Sequence, residues 1–291
     1  YRLKYLSFFH STVWFIDKGF LIYPDEWKEQ QRKNTLNATF THSYSFKNSS
    51  GSLSFGSRTS AIFSDYNFAS LAATWRHNTA LKYFYFKQKA TAINMTGDKV
   101  AKESKVFLAG ANPEEMMESK FTRSQGIFNA SEIQFGNYLS YSQFGGGLNL
   151  RGYTGLLLPE NGDSAGYSYK GTGGISYNAE LEFNQFIKNK VLKFVKHKFK
   201  YINNRYSLTT YAFADAGIIK YSNVKNPAKY GRLRADAGLG ICLNIKNWGV
   251  LQTAAPLTIR CDFPMFLNTP PATGSKYFNP SRYVISIGRA F

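Results

Sequence analysis

The sequence predicts an all-β fold, in the form of a transmembrane antiparallel β-barrel of about 12 strands, and three observations predict it. Apolar and polar residues alternate with a period of two along much of the chain. Aromatic residues make up 17% of the sequence, which excludes a disordered chain. No run of about 20 consecutive apolar residues is present, so a helical membrane protein is excluded as well.

The alternation is clear near the C-terminal end. In the segment 233–245, Leu239 and Ile241 fall on one face of a strand, whereas Asp236 and Asn244 fall on the other. The stretch 1–23 is expected to contribute about two further strands. The segments with the alternating pattern are 34–46, 51–63, 66–79, 81–96, 127–142, 171–186, 208–222, 231–246, 255–264 and 281–291.

Strand length and charge separate two interpretations of this pattern. A soluble sandwich has strands of about 5–6 residues, whereas a strand that crosses a membrane has about 9–11, and most segments here reach the longer length. The apolar faces carry almost no charge. The charged residues of the polar faces include Glu180, Glu182, Arg234, Asp236, Arg260 and Asp262. Because lipid outside and water inside explain both features, the sequence favours the transmembrane barrel.

The two cysteines belong to opposite faces of their strands, Cys242 to a polar or small face and Cys261 to an apolar one. A disulfide between them is geometrically poor, and we expect two separate thiols. The four histidines lie far apart and form no metal-binding pair, so the sequence predicts no metal and no cofactor. The net charge of +18 suits phospholipid or lipopolysaccharide headgroups, and no nucleic-acid-binding motif accompanies it.

Two connections, 98–126 and 143–170, are too long for tight hairpins. The second begins with QFGGGLNLRGYTG, a glycine cluster followed by an Arg-Gly-aromatic tripeptide. A third segment, 187–207, is basic and apolar at mixed spacing. It fits either a short amphipathic helix on a membrane surface or a solvated basic turn.

The tripeptide Arg151-Gly152-Tyr153 and the motifs after it resemble the outer-membrane assembly-factor superfamily, which includes BamA, TamA and the two-partner secretion transporters. The resemblance covers about half of the chain, from the motif loop to the C-terminus. The segments that resemble the family motifs, in the same order, are GTGGISYNAELEF (171–183), TYAFADAGII (210–219), LRADAGLGICLNIKNWGVLQTAAPLTIRCDFPMF (233–266) and RYVISIGRAF (282–291).

The resemblance implies that the loop 143–170 folds into the barrel and that Arg151 contacts Glu182 and Asp215 on the inner wall. Physical chemistry agrees, because a guanidinium inside a barrel needs carboxylate partners. Alternation puts Glu182 on the polar face, while the face of Asp215 also carries aromatic residues. Gly152 is expected to let the loop turn tightly against the wall.

The last strand carries Ser286, Gly288 and Ala290 on its inner face, and the sequence ends on Phe291. Small residues weaken strand pairing, so Gly288 is a candidate residue of the seam where the barrel closes. The resemblance implies that Phe291 is the C-terminal aromatic signal that barrels of this superfamily present for assembly.

Residues 1–291 are expected to form a single barrel domain, with 143–170 as an inserted lumenal loop. The superfamily normally has sixteen strands, against the about 12 predicted here. Either N-terminal strands are missing, or internal gaps in the sequence have been closed up, or the barrel has twelve strands. No POTRA-like segment precedes the barrel, and we expect any periplasmic domain to lie outside this chain.

Three functions fit these features. The first is insertion, assembly or translocation of proteins at the outer membrane of a Gram-negative bacterium. Its expected partners are client barrels, accessory lipoproteins and lipid, and it involves no enzymatic activity. The second is an anchor or exporter for a fused aminopeptidase-, phosphoesterase- or patatin-like enzyme outside this chain. The third is a passive anion-selective porin with a basic lumen.

Overall fold

The computed structural model describes residues 10–13, 31–118, 142–154, 170–183, 206–223, 226–245, 257–270 and 277–287. None of the helices in these ranges is long and apolar enough to cross a membrane. The one α-helix in them is α1 (Pro113–Glu118). The strands are β1 (His10–Val13), β2 (Arg32–Ser45), β3 (Ser49–Ser60), β4 (Asn67–Ala80), β5 (Tyr85–Lys99), β6 (Val106–Phe107), β7 (Ser142–Phe144), β8 (Lys170–Gly171), β9 (Gly173–Glu182), β10 (Tyr206–Asn223), β11 (Asn226–Tyr230), β12 (Arg234–Ile245), β13 (Leu257–Leu267) and β14 (Val284–Ile287).

One large sheet contains most of the strands. Its order is β1-β2-β3-β4-β5-β9-β10-β12-β13-β14-β7, with β11 paired to β10 beside this path. The pairings are antiparallel except that β14 and β7 are parallel. The short strands β6 and β8 form a separate antiparallel pair. The predicted all-β, mainly antiparallel class is therefore confirmed.

Several predictions fall outside the described residues. These are most of the predicted strand 127–142, most of the basic segment 187–207, most of 1–23, and Gly288 and Phe291 near the C-terminus. No ladder between described residues joins β1 to the far edge of the sheet. Closure into a barrel and the total number of strands therefore stay predictions.

The two faces of the sheet have inverted polarity compared with a soluble protein. Residues paired directly across antiparallel strands point to the same face, so the register assigns each side chain. The buried face carries charge, at Lys33, Lys89, Glu180, Asp215, Arg234, Asp236, Arg260 and Asp262. The opposite face exposes large apolar side chains, at Leu36, Phe40, Phe55, Leu71, Ile175, Tyr177, Leu208, Leu239, Ile241, Phe266 and Ile285. An exposed apolar face of this size is typical of a surface that contacts lipid or another protein.

The cysteines follow this division. Cys242 pairs in register with Arg260 on the polar face, and Cys261 pairs with Ile241 on the apolar face. No disulfide joins them. The expectation of two separate thiols on opposite faces is confirmed.

Two connecting segments pack on the polar face and create an apolar cluster there. We call residues 101–115 the first interior loop and residues 145–154 the second. They pair with each other, because the amides of Leu148 and Leu150 donate to the carbonyls of Phe107 and Leu108, both at 3.0 Å. The buried cluster between the loops and the sheet consists of Met95, Val106, Leu108, Ala109, Leu148, Leu150, Tyr153, Ile219 and Leu267.

Tyr211 of β10 lies across the neighbouring strand β12 at Gly240. Its phenol reaches over that glycine to donate a 2.6 Å hydrogen bond to Asp262 on β13. A Cβ at position 240 would overlap the Tyr211 ring. The glycine therefore makes room for a side chain that connects three strands.

We expect Gly240→Ala to lower the free energy of unfolding by about 1–3 kcal/mol, since the Tyr211 ring must move and lose its carboxylate partner. Gly56→Ala on β3 is the control, because the nearest atoms to its added Cβ lie 3.9 Å away. The measurement is the urea-induced unfolding of each variant. Equal stability of the two variants would contradict this account of Gly240.

Candidate functional site

The second interior loop brings the Arg-Gly-Tyr tripeptide onto the polar face of the sheet. Arg151–Tyr153 form a short 3-10 turn in which all three residues are buried. Before it, Gly147 and Asn149 take positive φ angles of 53° and 58°. Glycine and asparagine tolerate this left-handed conformation best, and it turns the chain so that Arg151 meets the wall.

Arg151 is fully buried and is held by acids from two neighbouring strands. Its Nε and Nη2 atoms donate to the two carboxylate oxygens of Asp215 on β10, both at 2.7 Å. Its Nη1 atom donates to Glu180 on β9. The guanidinium also stacks on Phe213, with its carbon 4.0 Å from the ring centroid. The planar fork of arginine suits this combination of bidentate and stacking contacts.

Asn178 supports the arrangement from β9. Its side-chain amide donates to Asp215 at 3.0 Å and to the backbone carbonyl of Asn149 at 3.1 Å. The backbone amide of Arg151 also donates to Asp215, at 3.2 Å. The Asp215 carboxylate thus accepts hydrogen bonds from Arg151 of the loop and from Asn178 of β9, and together these bonds fix the position of the loop.

The second acid at Arg151 differs from the one expected. Glu182 forms its ion pair with Lys87 on the adjacent strand β5, and the acid that contacts Arg151 is Glu180. Residues two apart on a strand share a face, so the alternation gave the correct face but not the position along it. Glu182 is the last residue of β9, beyond the reach of the loop.

Gly152 and Tyr153 complete the contact with β12 and β13. A Cβ on Gly152 would overlap Leu267 and Asp236, so only glycine lets the loop lie this close to the wall. The Tyr153 phenol donates to Asn268 at 2.7 Å. Burial and the nearby Asp236 carboxylate raise the pKa of Tyr153 to about 12, so the phenol keeps its proton.

The first interior loop is anchored by a second buried ionic cluster, which the sequence did not reveal. Lys33 of β2 contacts Glu103 at 2.8 Å and Glu114 at 3.1 Å. Arg58 of β3 binds the two oxygens of Glu114 at 2.7 and 2.8 Å. Here the loop supplies the acids and the wall supplies the bases, the reverse of the arrangement at Arg151.

The protonation state of Glu114 follows from these contacts. Burial alone would raise the pKa of Glu114, but the hydrogen bonds from Arg58 and the charge of Lys33 outweigh it and hold the pKa well below its usual range. The stabilisation that results is present above the usual glutamate pKa and is lost only as the pH falls below it.

Helix α1 has a local sequence signal for its start. The Glu115 amide donates to the Asn112 side chain, and the Asn112 amide donates back to the Glu115 carboxylate, both at 2.8 Å. With Pro113 at the first helical position, this is a capping box. The run Asn-Pro-Glu-Glu within the connection 98–126 could therefore have located α1, though not its docking on the wall.

The two anchored loops and the wall residues that hold them form the candidate site. In the ranges covered by the structure, no group of three or more His, Cys, Asp or Glu residues is arranged to hold a metal ion. Comparison with known proteins gives no matching family model and no matching curated sequence. The resemblance to the assembly-factor superfamily stays a prediction from the motifs.

Two substitutions on β9 distinguish the observed partner of Arg151 from the expected one. Glu180→Gln should cost about 3 kcal/mol or more, because it leaves a buried cation with one acid fewer. Glu182→Gln should cost less than about 1 kcal/mol, because its pair with Lys87 is partly exposed to solvent. Urea unfolding of both variants measures the difference. A larger loss for Glu182→Gln would show that Arg151 binds the acid predicted from the sequence.

Proposed function

We propose that this protein is a BamA-type transmembrane β-barrel of the outer membrane of a Gram-negative bacterium. In this proposal it inserts, assembles or translocates other proteins and carries out no catalysis of its own. Its partners are outer-membrane lipid and lipopolysaccharide, client β-barrel proteins and accessory lipoproteins. The polarity of the large sheet is the observation that carries the proposal.

The inverted polarity supports a membrane location. Leu71 is 66% exposed and Leu208 is 63% exposed, whereas Asp262 and Asn178 on the other face are fully buried. In water, this arrangement loses the hydrophobic contribution of the exposed residues and still desolvates the charges. In a bilayer, lipid covers the apolar face and the polar face surrounds the lumen.

The interior loops favour an assembly or translocation role over a passive pore. Both loops lie on the face that would line the lumen, and each is held by buried ion pairs. A diffusion channel needs that space open to water. An interior occupied by two loops that buried ion pairs hold in place favours a barrel whose work is done at its wall.

The position of strand β14 supports client pairing at the wall. Its described residues, Val284–Ile287, pair with β13 and, in parallel, with β7. Within the described residues, β7 pairs with β14 alone and over only three residues. In this proposal an incoming strand displaces β7 and adds to β14 by β-augmentation.

A charge on the apolar face tests the membrane location. Leu71→Arg on β4 should lower the stability of the protein folded into phospholipid vesicles by about 2–4 kcal/mol, because lipid cannot solvate the guanidinium. Ile62→Arg is the matched control, since Ile62 is 78% exposed but lies in the β3–β4 connection. Urea titration of vesicle-folded protein measures both. If Leu71→Arg and Ile62→Arg both lower the stability only slightly and by similar amounts, lipid does not surround β4.

Site-specific photo-crosslinking tests the assembly role. A photoreactive residue at Ile285 of β14 should crosslink to a client barrel that folds into vesicles containing this protein, since the incoming strand pairs there. Leu239 of β12 is the control, because it is similarly exposed (48% against 45%) but lies on a strand that is paired over ten or more residues on each side. Crosslinks of equal yield at both positions, or at neither, would contradict client pairing at β14.

A further inference from the structure

A polar cavity of about 290 Å³ lies on the buried face of the sheet, beside the Arg151 cluster. It is near the end of the sheet where the short β2–β3 and β4–β5 turns lie. Strands β4, β5, β9, β10, β12 and β13 all contribute to it. The charged residues that line it are Arg76, Lys87, Glu180, Glu182 and Arg260, and Cys242 also lines it.

Arg260 is the unusual member of this set. Its side chain is 3% exposed, yet none of its three guanidinium nitrogens has a hydrogen-bond partner among the described residues. Its nearest carboxylate oxygens are those of Asp262 at 3.5 Å and Glu180 at 3.9 Å, both too distant for a hydrogen bond. A buried guanidinium without acceptors costs free energy unless something in the cavity supplies them.

The acids around the cavity are already engaged. Glu180 binds Arg151, Glu182 binds Lys87, and one oxygen of Asp262 accepts the Tyr211 phenol. On the opposite side, Arg76 lines the cavity and makes no ion pair with a described residue. The uncommitted charge at the cavity is therefore positive.

We propose that this cavity binds a small oxyanion, a carboxylate or a phosphate group, with Arg260 as the main ligand and Arg76 as the second cation. A guanidinium presents several donors in one plane and matches the two oxygens of either group. The proposal concerns only the polar face of the sheet and does not depend on a role in protein assembly.

Cys242 provides a reporter inside the cavity. In the Cys261→Ala background it is the only thiol. It is labelled with two methanethiosulfonate reagents of similar size, one carrying a sulfonate group and one a trimethylammonium group. The ratio of the two labelling rates reports the charge around Cys242. Each labelling rate is divided by the rate at which the same reagent reacts with 2-mercaptoethanol in solution, which corrects for the difference in reactivity between the reagents. The sulfonate reagent should then react about tenfold faster, because the uncommitted arginines attract it.

Variants and added anions complete the test. Arg260→Gln should reduce the preference of Cys242 for the sulfonate reagent over the trimethylammonium reagent by about threefold or more. Arg232→Gln, which removes an exposed arginine away from the cavity, should leave it unchanged. Inorganic phosphate and acetate are added separately at constant ionic strength, and the one that slows sulfonate labelling identifies the anion class. Should Arg260→Gln not fold, Arg76→Gln on a less buried side chain replaces it. The proposal is wrong if the preference is absent, if it survives removal of the arginines, or if neither anion protects Cys242.

Discussion

The ion pair between Arg151 and Asp215 is the interaction on which the interior of this protein depends. A fully buried guanidinium is stable only where acids and hydrogen bonds surround it, and here two adjacent strands provide them. The contact requires β9 and β10 to hold their present register, because a slip of one residue would turn both acids to the apolar face. The loop and the wall therefore specify each other, and the loop cannot shift without leaving a buried charge unpaired.

The two interior loops are anchored with opposite polarity. At Arg151 the base belongs to the loop, whereas at Glu114 the base belongs to the wall. Because the loops also pair with each other through backbone hydrogen bonds, each anchor supports the other loop.

Period-two alternation was sufficient to predict the long strands and their faces, because each strand buries one polar face and a slip would reverse it. It was not sufficient to choose between Glu180 and Glu182, which share a face and differ only in their distance from the loop. Local patterns in the sequence also could not predict where the first interior loop docks on the sheet. Its acids contact Lys33 and Arg58, which lie far away in sequence, and such contacts leave no periodic signal.

The positions of the ionic anchors separate the strands that hold the loops from the strand proposed to receive a client. The central strands β9 and β10 are paired on both sides over ten or more residues and carry the acids that hold Arg151. The bases that hold Glu114 lie on β2 and β3. Strand β14 adjoins β13 and β7 and none of these four strands. Opening beside β14 would therefore leave the ladders between the anchoring strands intact, so the stability of the anchors does not oppose the addition of a strand there.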